Sequence, residues 1–248
     1  MSSLDLARSH FLVTGATGNI GRAIVTRLCK EFAGATITIV ARTPETLEQF
    51  ANELKHEFGE HHLAWMPADV SDVIEWWPKV DRSDNPVTHV IDCTGSWPGP
   101  LKQTPEECLQ DLDEGTRGRL TDPLRVVVNL CTVALEHFKM RRHGQLIWAG
   151  GSIAAIHPFA YQADYCAQKS AIRAWLCVKQ IELQQDNLQE CSVEMVLSGI
   201  VEGTDTSKFG MRVEGELVTL AAITDAVMNM IATGSGHEVV LPGNYTVF

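Results

Sequence analysis

The sequence lacks an excess of basic residues and lacks a long apolar run. Its 20 lysines and arginines are outnumbered by 31 aspartates and glutamates, which gives a formal net charge of -11. A chain with this charge repels phosphate backbones, so we predict no nucleic-acid partner. No apolar run approaches the roughly 18 residues that a membrane-spanning helix needs. We therefore predict no membrane partner.

The sequence also lacks any pattern of a disulfide framework or a metal site. Seven cysteines are spread along the chain, and no two have Cys-x-x-Cys spacing. The polar amino end, MSSLDLARSH, shows no export signal, so we expect free thiols and a cytoplasmic location. His137, His143 and His157 are irregularly spaced and have no evident carboxylate or thiolate partner, so we predict no metal site.

Hydrophobic residues make up 45% of the chain, enough for a sizeable core. Short apolar runs alternate with longer amphipathic stretches. Strands are predicted at His10–Val13, Thr36–Val40, Leu63–Pro67, Thr88–Asp92, Gln145–Ala149, Ser192–Leu197 and Glu238–Leu241. Helices are predicted at Asn19–Phe32, Pro44–Phe58, Leu124–Met140, Ala163–Asn187 and Thr219–Thr233. This alternation predicts an α/β fold, with a doubly wound parallel sheet of about seven strands and helices on both faces.

We find no linker or repeat, so residues 1–248 are interpreted as a single domain. Two regions, Pro98–Leu124 and Val201–Glu216, are predicted to be irregular. Loops at the carboxyl ends of parallel strands are where such sheets bind ligands. We therefore place the substrate loops around residues 96–123 and 200–216.

A glycine-rich segment, TGATGNIG, runs from Thr14 to Gly21 directly after the first strand. Glycines let the backbone approach a pyrophosphate closely, and the pyrophosphate then lies at the helix N-terminus. This context favours a dinucleotide site over a plain tight turn. The residues predicted to bind the cofactor here are Gly15, Thr17, Gly18, Asn19, Ile20 and Gly21.

The end of the second strand decides between NAD and NADP. An acidic residue there would bind the ribose 2′-hydroxyl of NAD, but this chain has Ala41 followed by Arg42. A guanidinium can pair with the 2′-phosphate, so NADP(H) is favoured over NAD(H). The alternative is that Arg42 is only a surface charge. Asp69 and Val70 follow the third strand, where an adenine edge could be read, although Asp69 could equally cap a helix.

Three residues form a candidate catalytic set. Tyr165 and Lys169 are four apart in a predicted helix, so their side chains share a face. A nearby ammonium favours phenolate and brings the pKa of a phenol closer to neutral pH. Ser152 ends the fifth strand and can hold a substrate oxygen near the same point. The alternatives are a core tyrosine, an exposed lysine and a loop-capping serine.

With these motifs in this order, the chain resembles the short-chain dehydrogenase/reductase family over nearly its whole length. The resemblance implies a Rossmann-type single domain and hydride transfer at the nicotinamide C4. Tyr165 would be the acid–base, Lys169 would lower its pKa and bind the nicotinamide ribose, and Ser152 would orient the substrate. It also implies a homodimer or homotetramer built on the two long helices, which carry apolar residues on more than one face.

The sequence departs from the family pattern at four places. Asn19 replaces a glycine of the compact single-domain branch, and Asp92-Cys93-Thr94-Gly95 replaces Asn-Asn-Ala-Gly. Leu124 aligns with the helix asparagine that supports a proton relay, and Asn129 lies elsewhere on the helix. Ser198-Gly199 replaces Pro-Gly after the sixth strand.

Several cofactor contacts are still expected at these altered positions. They are Thr94 and Gly95 after the fourth strand, and Gly199, Ile200, Val201 and Thr204 near the nicotinamide carboxamide. Trp97, Phe159 and Tyr161 are candidate walls of the substrate pocket, although Trp97 could instead pack in the core.

The favoured function is an NADP(H)-dependent ketone or carbonyl reductase acting on a small molecule. One alternative is an NADP-binding or regulatory protein with weakened turnover, which Leu124 and the altered Asp92–Thr94 segment motivate. Another is a lyase or epimerase that retains its cofactor.

Overall fold

The chain alternates strands and helices in a computed structural model that describes residues 6–59, 62–95, 97, 117–209, 211–234 and 238–247. The strands are β1 (His10–Thr14), β2 (Thr36–Ala41), β3 (His62–Pro67), β4 (His89–Asp92), β5 (Gly144–Ser152), β6 (Cys191–Ser198), β7 (Val213–Glu216), β8 (Glu238–Leu241) and β9 (Asn244–Val247). The α-helices are α1 (Asn19–Glu31), α2 (Pro44–Phe58), α3 (Val73–Val80), α4 (Asp122–Arg141), α5 (Ala163–Gln185) and α6 (Leu220–Thr233). The predicted elements agree with these bounds to within a few residues.

Seven strands form one parallel sheet in the order β3-β2-β1-β4-β5-β6-β8. This confirms the predicted doubly wound parallel sheet. All residues of β1 and β6 are buried, as expected for strands covered on both faces. The strand order reverses at β1 and β4. The carboxyl ends of these two strands therefore border the crevice where such sheets bind ligands.

Two separate cores cover the two faces of the sheet. One contains buried side chains of α1, α2 and α6, and the other contains buried side chains of α3, α4 and α5. Helix α3 is absent from the sequence-based prediction because it is short and carries Pro78. Its Trp76 and Trp77 are buried in the second core, away from the crevice.

Two short strands form a second sheet that the sequence-based prediction missed. Strands β7 and β9 pair antiparallel, with Gly215 opposite Tyr245. The prediction that Val201–Glu216 is irregular is therefore wrong at β7. Of the other predicted irregular region, residues 98–116 lie outside the described residues, while Arg117–Thr121 is a π-helical turn and Asp122 already begins α4.

No helix in the described part of the chain is long and apolar enough to cross a membrane. Six cysteines in that part are free thiols, namely Cys29, Cys93, Cys131, Cys166, Cys177 and Cys191. The seventh, Cys108, lies outside the described residues.

Candidate active site

The glycine loop leaves β1 and enters α1 at the crevice. Gly15 has a φ of +65°, and a Cβ there would lie 2.8 Å from the carbonyl carbon of Cys93. A Cβ on Gly21 would lie 2.3 Å from the Gly15 oxygen, so α1 packs too closely for a side chain. Gly18 is the N-cap of α1, and it has no side chain that could accept a hydrogen bond from the first N–H groups of the helix. The loop therefore has the close approach and the helix N-terminus that a pyrophosphate requires.

The segment after β4 is tied to the end of β1. Asp92 is fully buried, and its Oδ1 accepts hydrogen bonds from the Thr14 hydroxyl at 2.7 Å and from the Thr94 N–H at 3.0 Å. The Cys93 N–H donates to the Thr14 carbonyl at 3.0 Å. These contacts hold Thr94 and Gly95 beside the glycine loop, even though the side chains of the family pattern are changed.

Ser152, Tyr165 and Lys169 line one cavity of about 760 Å³. The carboxyl end of β5 positions Ser152, and one turn of α5 places Tyr165 and Lys169 on the same face. The Ser152 hydroxyl lies near enough to the Tyr165 phenol to act on its pKa. The Lys169 Nζ donates to the Gly150 carbonyl at 2.7 Å and lies 5.5 Å from the centroid of the Tyr165 ring.

Burial dominates the proton affinities of this cluster. It raises the pKa of Tyr165, although the hydroxyl of Ser152 acts to lower it. It lowers the pKa of Lys169 to about 8, although the negative charge of Asp92 acts to raise it. The expectation that Lys169 lowers the pKa of Tyr165 is therefore not met in the protein alone. The loss of water around the phenol is the largest cause of this direction.

Most of the predicted cofactor residues line the same cavity as Ser152, Tyr165 and Lys169. They are Gly18, Asn19, Ile20, Gly21, Thr94, Gly95, Gly199, Ile200, Val201 and Thr204. The Asn19 side chain donates to the Gly203 carbonyl at 3.3 Å, which connects the glycine loop to the segment after β6. Gly15 and Thr17 belong to the loop but are not among the lining residues.

Arg42, Asp69 and Val70 also lie outside this cavity. Arg42 directly follows β2 and is exposed. Asp69 caps a short 3-10 turn, and its Oδ1 accepts from the Ser71 N–H at 2.8 Å, which matches the capping alternative. Hydrogen bonds from Ser71 lower the pKa of Asp69, and the charge of Arg42 adds to this effect. Val70 is buried in the second core.

The three candidate wall residues, Trp97, Phe159 and Tyr161, all line the cavity. The Trp97 Nε1 donates to the Gln162 side chain at 2.9 Å, and Gln162 directly precedes α5. Trp97 thus joins the loop after β4 to the helix that carries Tyr165. The sequence-based analysis missed several further lining residues, among them Ile153, Gln162 and Tyr245, whereas Met211 lies in the substrate loop predicted around residues 200–216. Only a predicted strand at Asn244–Val247 would have indicated that Tyr245 lies near the cavity.

Leu124 occupies the position that aligns with the relay asparagine of the family. Leu124 is partly buried and packs against the second core. The Asn129 amide donates to the Ser71 carbonyl at 3.5 Å, so this side chain points away from the cavity.

The histidines considered for a metal site have other partners. His137 contacts the carboxylate of Asp81 at 2.8 Å, and His143 lies 3.8 Å from Glu190. Within the described residues, no group of three or more His, Cys, Asp or Glu side chains could hold a metal ion.

Comparison with known families identifies the chain. A family model described as short chain dehydrogenase matches residues 9–212. The chain therefore belongs to the short-chain dehydrogenase family of oxidoreductases, which confirms the resemblance seen in the sequence.

Curated relatives include reductases. The chain is 27% identical to a sepiapterin reductase of Xenopus laevis over 64% of this chain and 63% of that protein. It is 26% identical to a 3-ketodihydrosphingosine reductase of Bos taurus over 75% of this chain and 55% of that protein. The chain thus spans between about half and two thirds of the length of these relatives.

Solved structures with this fold match nearly the whole chain. A short-chain oxidoreductase from Pseudomonas aeruginosa PAO1, described as NADPH-bound and as containing an atypical catalytic center, has a TM-score of 0.79 at 18% identity and covers 96% of each chain. L-Sorbose reductase from Gluconobacter frateurii, complexed with NADPH and L-sorbose, has a TM-score of 0.74 at 20% identity and covers 95% of each chain. At these identities the likeness shows a shared fold.

Proposed function

We propose that this protein is an NADP(H)-dependent carbonyl reductase that can also work in reverse as an alcohol dehydrogenase. One observation carries the proposal. Ser152, Tyr165 and Lys169 line the same cavity as the glycine loop. A proton donor and a dinucleotide loop facing one space suit hydride transfer to a carbonyl.

Each member of the cluster has a role in this reaction. NADPH held at the glycine loop would supply the hydride for the carbonyl carbon. The Tyr165 phenol donates its proton to the carbonyl oxygen, and the Ser152 hydroxyl orients that oxygen. The raised pKa of Tyr165 keeps the phenol protonated near neutral pH, as a proton donor for reduction requires. Lys169 supplies a buried ammonium beside the phenol and a donor for the nicotinamide ribose.

The preference for NADP(H) is inferred from the end of β2. Arg42 stands where an acidic residue would select NAD, and its exposed guanidinium is free to reach a 2′-phosphate. Asp69 lies near enough to Arg42 to feel its charge, and it caps a short 3-10 turn. The NADPH in the two structural neighbours supports the same choice.

The cavity walls favour a substrate with apolar or ring-bearing substituents. Trp97, Phe159 and Tyr161 present aromatic surfaces, and Ile153 and Met211 add aliphatic surface. Such walls bind apolar groups, while the few polar groups at the catalytic cluster orient the carbonyl. The reductase names of the two curated relatives are consistent with a carbonyl substrate.

A second candidate is an NADP-binding protein with weak turnover. Leu124 in place of the relay asparagine favours it, since no side chain of the family type supports a relay water there. Asp92 places a carboxyl where the family has an amide.

Titration with NADPH, with and without a panel of aryl and alkyl ketones, separates the two candidates. Oxidation of NADPH with at least one ketone supports the reductase. Tight binding without oxidation of any ketone supports the second candidate. Tyr165→Phe should then lower kcat by about 100-fold or more while changing the NADPH dissociation constant little, because only the proton donor is lost. Wild-type kcat in this variant would contradict the assignment.

A further inference from the structure

Tyr245 joins two segments that border the cavity. Its phenol oxygen accepts a hydrogen bond from the Ile200 N–H at 2.9 Å, directly after β6. Its backbone lies in β9, where it pairs with Gly215 of β7. The side chain of Tyr245 thus holds Ile200, which is predicted to lie near the nicotinamide. The strand that carries Tyr245 pairs with β7, at the end of the predicted substrate loop.

Two glycines, Gly199 and Gly243, make room for the side chain of Tyr245, and a third, Gly215, lets the β9 backbone approach β7 closely. A Cβ on Gly199 would lie 2.6 Å from the Tyr245 Oη, and one on Gly243 would lie 2.8 Å from the ring. A Cβ on Gly215 would lie 2.8 Å from the Tyr245 Cα. Real Cβ atoms do not approach so closely, so the segments around Tyr245 are shaped to receive it. This also gives a physical reason for Gly199 in the altered Ser198-Gly199 pair.

Tyr245 lines the same cavity as Ser152, Tyr165 and Lys169. Burial is the largest cause of the raised pKa of Tyr165. Burial also raises the pKa of Tyr245, although the hydrogen bond from Ile200 acts to lower it. Tyr245 therefore stays a neutral phenol that can keep accepting the Ile200 N–H.

We propose that Tyr245 is a positioning residue that fixes the Gly199–Ile200 backbone for the nicotinamide half of the cofactor and couples it to β7. The part of this inference that concerns the cofactor rests on the proposed function. The contrary possibility is that the phenol only occupies the Ile200 N–H until the cofactor displaces it. The two possibilities predict opposite effects on NADPH affinity when the hydroxyl is removed. Affinity falls if the phenol fixes the backbone, and it rises if the phenol competes with the cofactor.

Tyr245→Phe tests the proposal by removing only the hydroxyl. In the protein without cofactor, amide hydrogen exchange at Ile200 should become at least several-fold faster, because this N–H loses its acceptor. The dissociation constant for NADPH should rise about 3- to 10-fold, the effect of one lost hydrogen bond. The KM for ketone should rise with it, while kcat falls less. Unchanged exchange at Ile200, or NADPH affinity equal to or tighter than wild type, would overturn the proposal.

Two further variants separate this inference from the proposed function. Tyr161→Phe removes the hydroxyl of another tyrosine on the cavity wall, so exchange at Ile200 should stay as in the wild type. Tyr165→Phe should abolish turnover and also leave exchange at Ile200 unchanged. If neither NADPH nor NADH binds the wild-type protein, the proposed function fails. The positioning role is then judged on exchange at Ile200 in Tyr245→Phe, and unchanged exchange there would overturn it.

Discussion

The fully buried carboxyl of Asp92 accepts a hydrogen bond from the Thr14 hydroxyl at 2.7 Å, at the ends of two neighbouring strands. Its pKa is raised by burial, while hydrogen bonds from Thr94 and Thr14 and the charge of Lys169 act to lower it. The charge of Asp92 in turn acts to raise the pKa of Lys169. A carboxyl in place of an amide thus brings a charge of opposite sign close to Lys169.

Asp92→Asn should move the pH dependence of turnover. Without the carboxyl charge, the pKa of Lys169 should fall below its value of about 8. A fall of about one unit would reduce the charged fraction of Lys169 at pH 8 about five-fold. If turnover needs the ammonium, the alkaline limb of the kcat profile should shift to lower pH. Burial raises the pKa values of the nearby Cys93 and Cys131 thiols far above this range, so they do not titrate there.

Stability provides the control for this variant. A carboxyl with a raised folded-state pKa binds its proton more tightly in the folded protein. The free energy of unfolding therefore decreases as the pH rises from about 3.8, the unfolded-state pKa, through the higher pKa of the folded state. Asp92→Asn should leave the melting temperature at pH 7.5 unchanged or higher. A pH profile identical to that of the wild type would refute the coupling between Asp92 and Lys169.

Arg42→Ala should weaken the binding of NADPH and spare that of NADH. The loss is expected at about 1.5 kcal/mol, or roughly ten-fold, since Arg42 is exposed and its contact with a phosphate is partly screened. Isothermal titration with both cofactors measures the difference. Arg125→Ala is the matched control. The charge of Arg125 also acts on Asp69, but Arg125 lies on α4 and not at the end of β2. An equal loss for the two cofactors would show that Arg42 is structural.

The strands and helices around the crevice could be predicted because their own residues encode them. β1 is a short run of buried residues, and Ile24 and Leu28 repeat at helical spacing on α1. β7 has no such pattern, since its sequence is Val-Glu-Gly-Glu and its stability comes from pairing with β9, a distant segment. Tyr245 was missed for the same reason.

The catalytic cluster was only partly predictable. The spacing of Tyr165 and Lys169 predicts that they share a helix face, and the structure places them so. The direction of the Tyr165 pKa shift depends on how much water reaches the phenol, which no local spacing encodes. Burial of Lys169 comes from Trp148 and Gly150 of β5, and Asp92 comes from β4. Only the assembled sheet brings these together.

Asp81→Asn should destabilise the fold through a buried ion pair. Burial acts to raise the pKa of Asp81, but hydrogen bonds from Arg141, Val87 and Trp77 and the charge of Arg141 outweigh it and lower the pKa. The Arg141 guanidinium donates to both carboxylate oxygens, at 2.8 and 2.6 Å. The loss is expected at about 2–4 kcal/mol, toward the low side for a buried pair because Arg141 remains one-third exposed.

The pH dependence has a definite sign. A carboxyl with a lowered folded-state pKa stabilises the fold above about pH 3.8, and this stability is lost as pH falls through the folded value. Urea unfolding at pH 7 and at pH 3 should therefore differ less in Asp81→Asn than in the wild type. The exposed pair of Arg82 and Asp84 is the control, since Asp84→Asn should cost under about 0.5 kcal/mol. Equal losses in the two variants would contradict the assignment.

Assembly is expected to use the outward face of α5. Ala174 is exposed there, and Val178 and Ile181 are each 50% exposed. These positions fall three or four residues apart, so they form one apolar stripe that the described residues leave exposed. We predict a two-fold homodimer, or a tetramer built from it, that buries well over about 1,000 Å².

Val178→Asp should then shift sedimentation toward the monomer at micromolar concentration. A charge in the middle of the stripe would have to leave water when two copies meet, which opposes association. Ile74→Asp is the comparison, because Ile74 is 76% exposed on α3 and lies outside the stripe. It should leave the sedimentation coefficient unchanged. A wild-type protein that sediments as a monomer at high concentration would refute the interface, and dissociation by both variants would place it elsewhere on the surface.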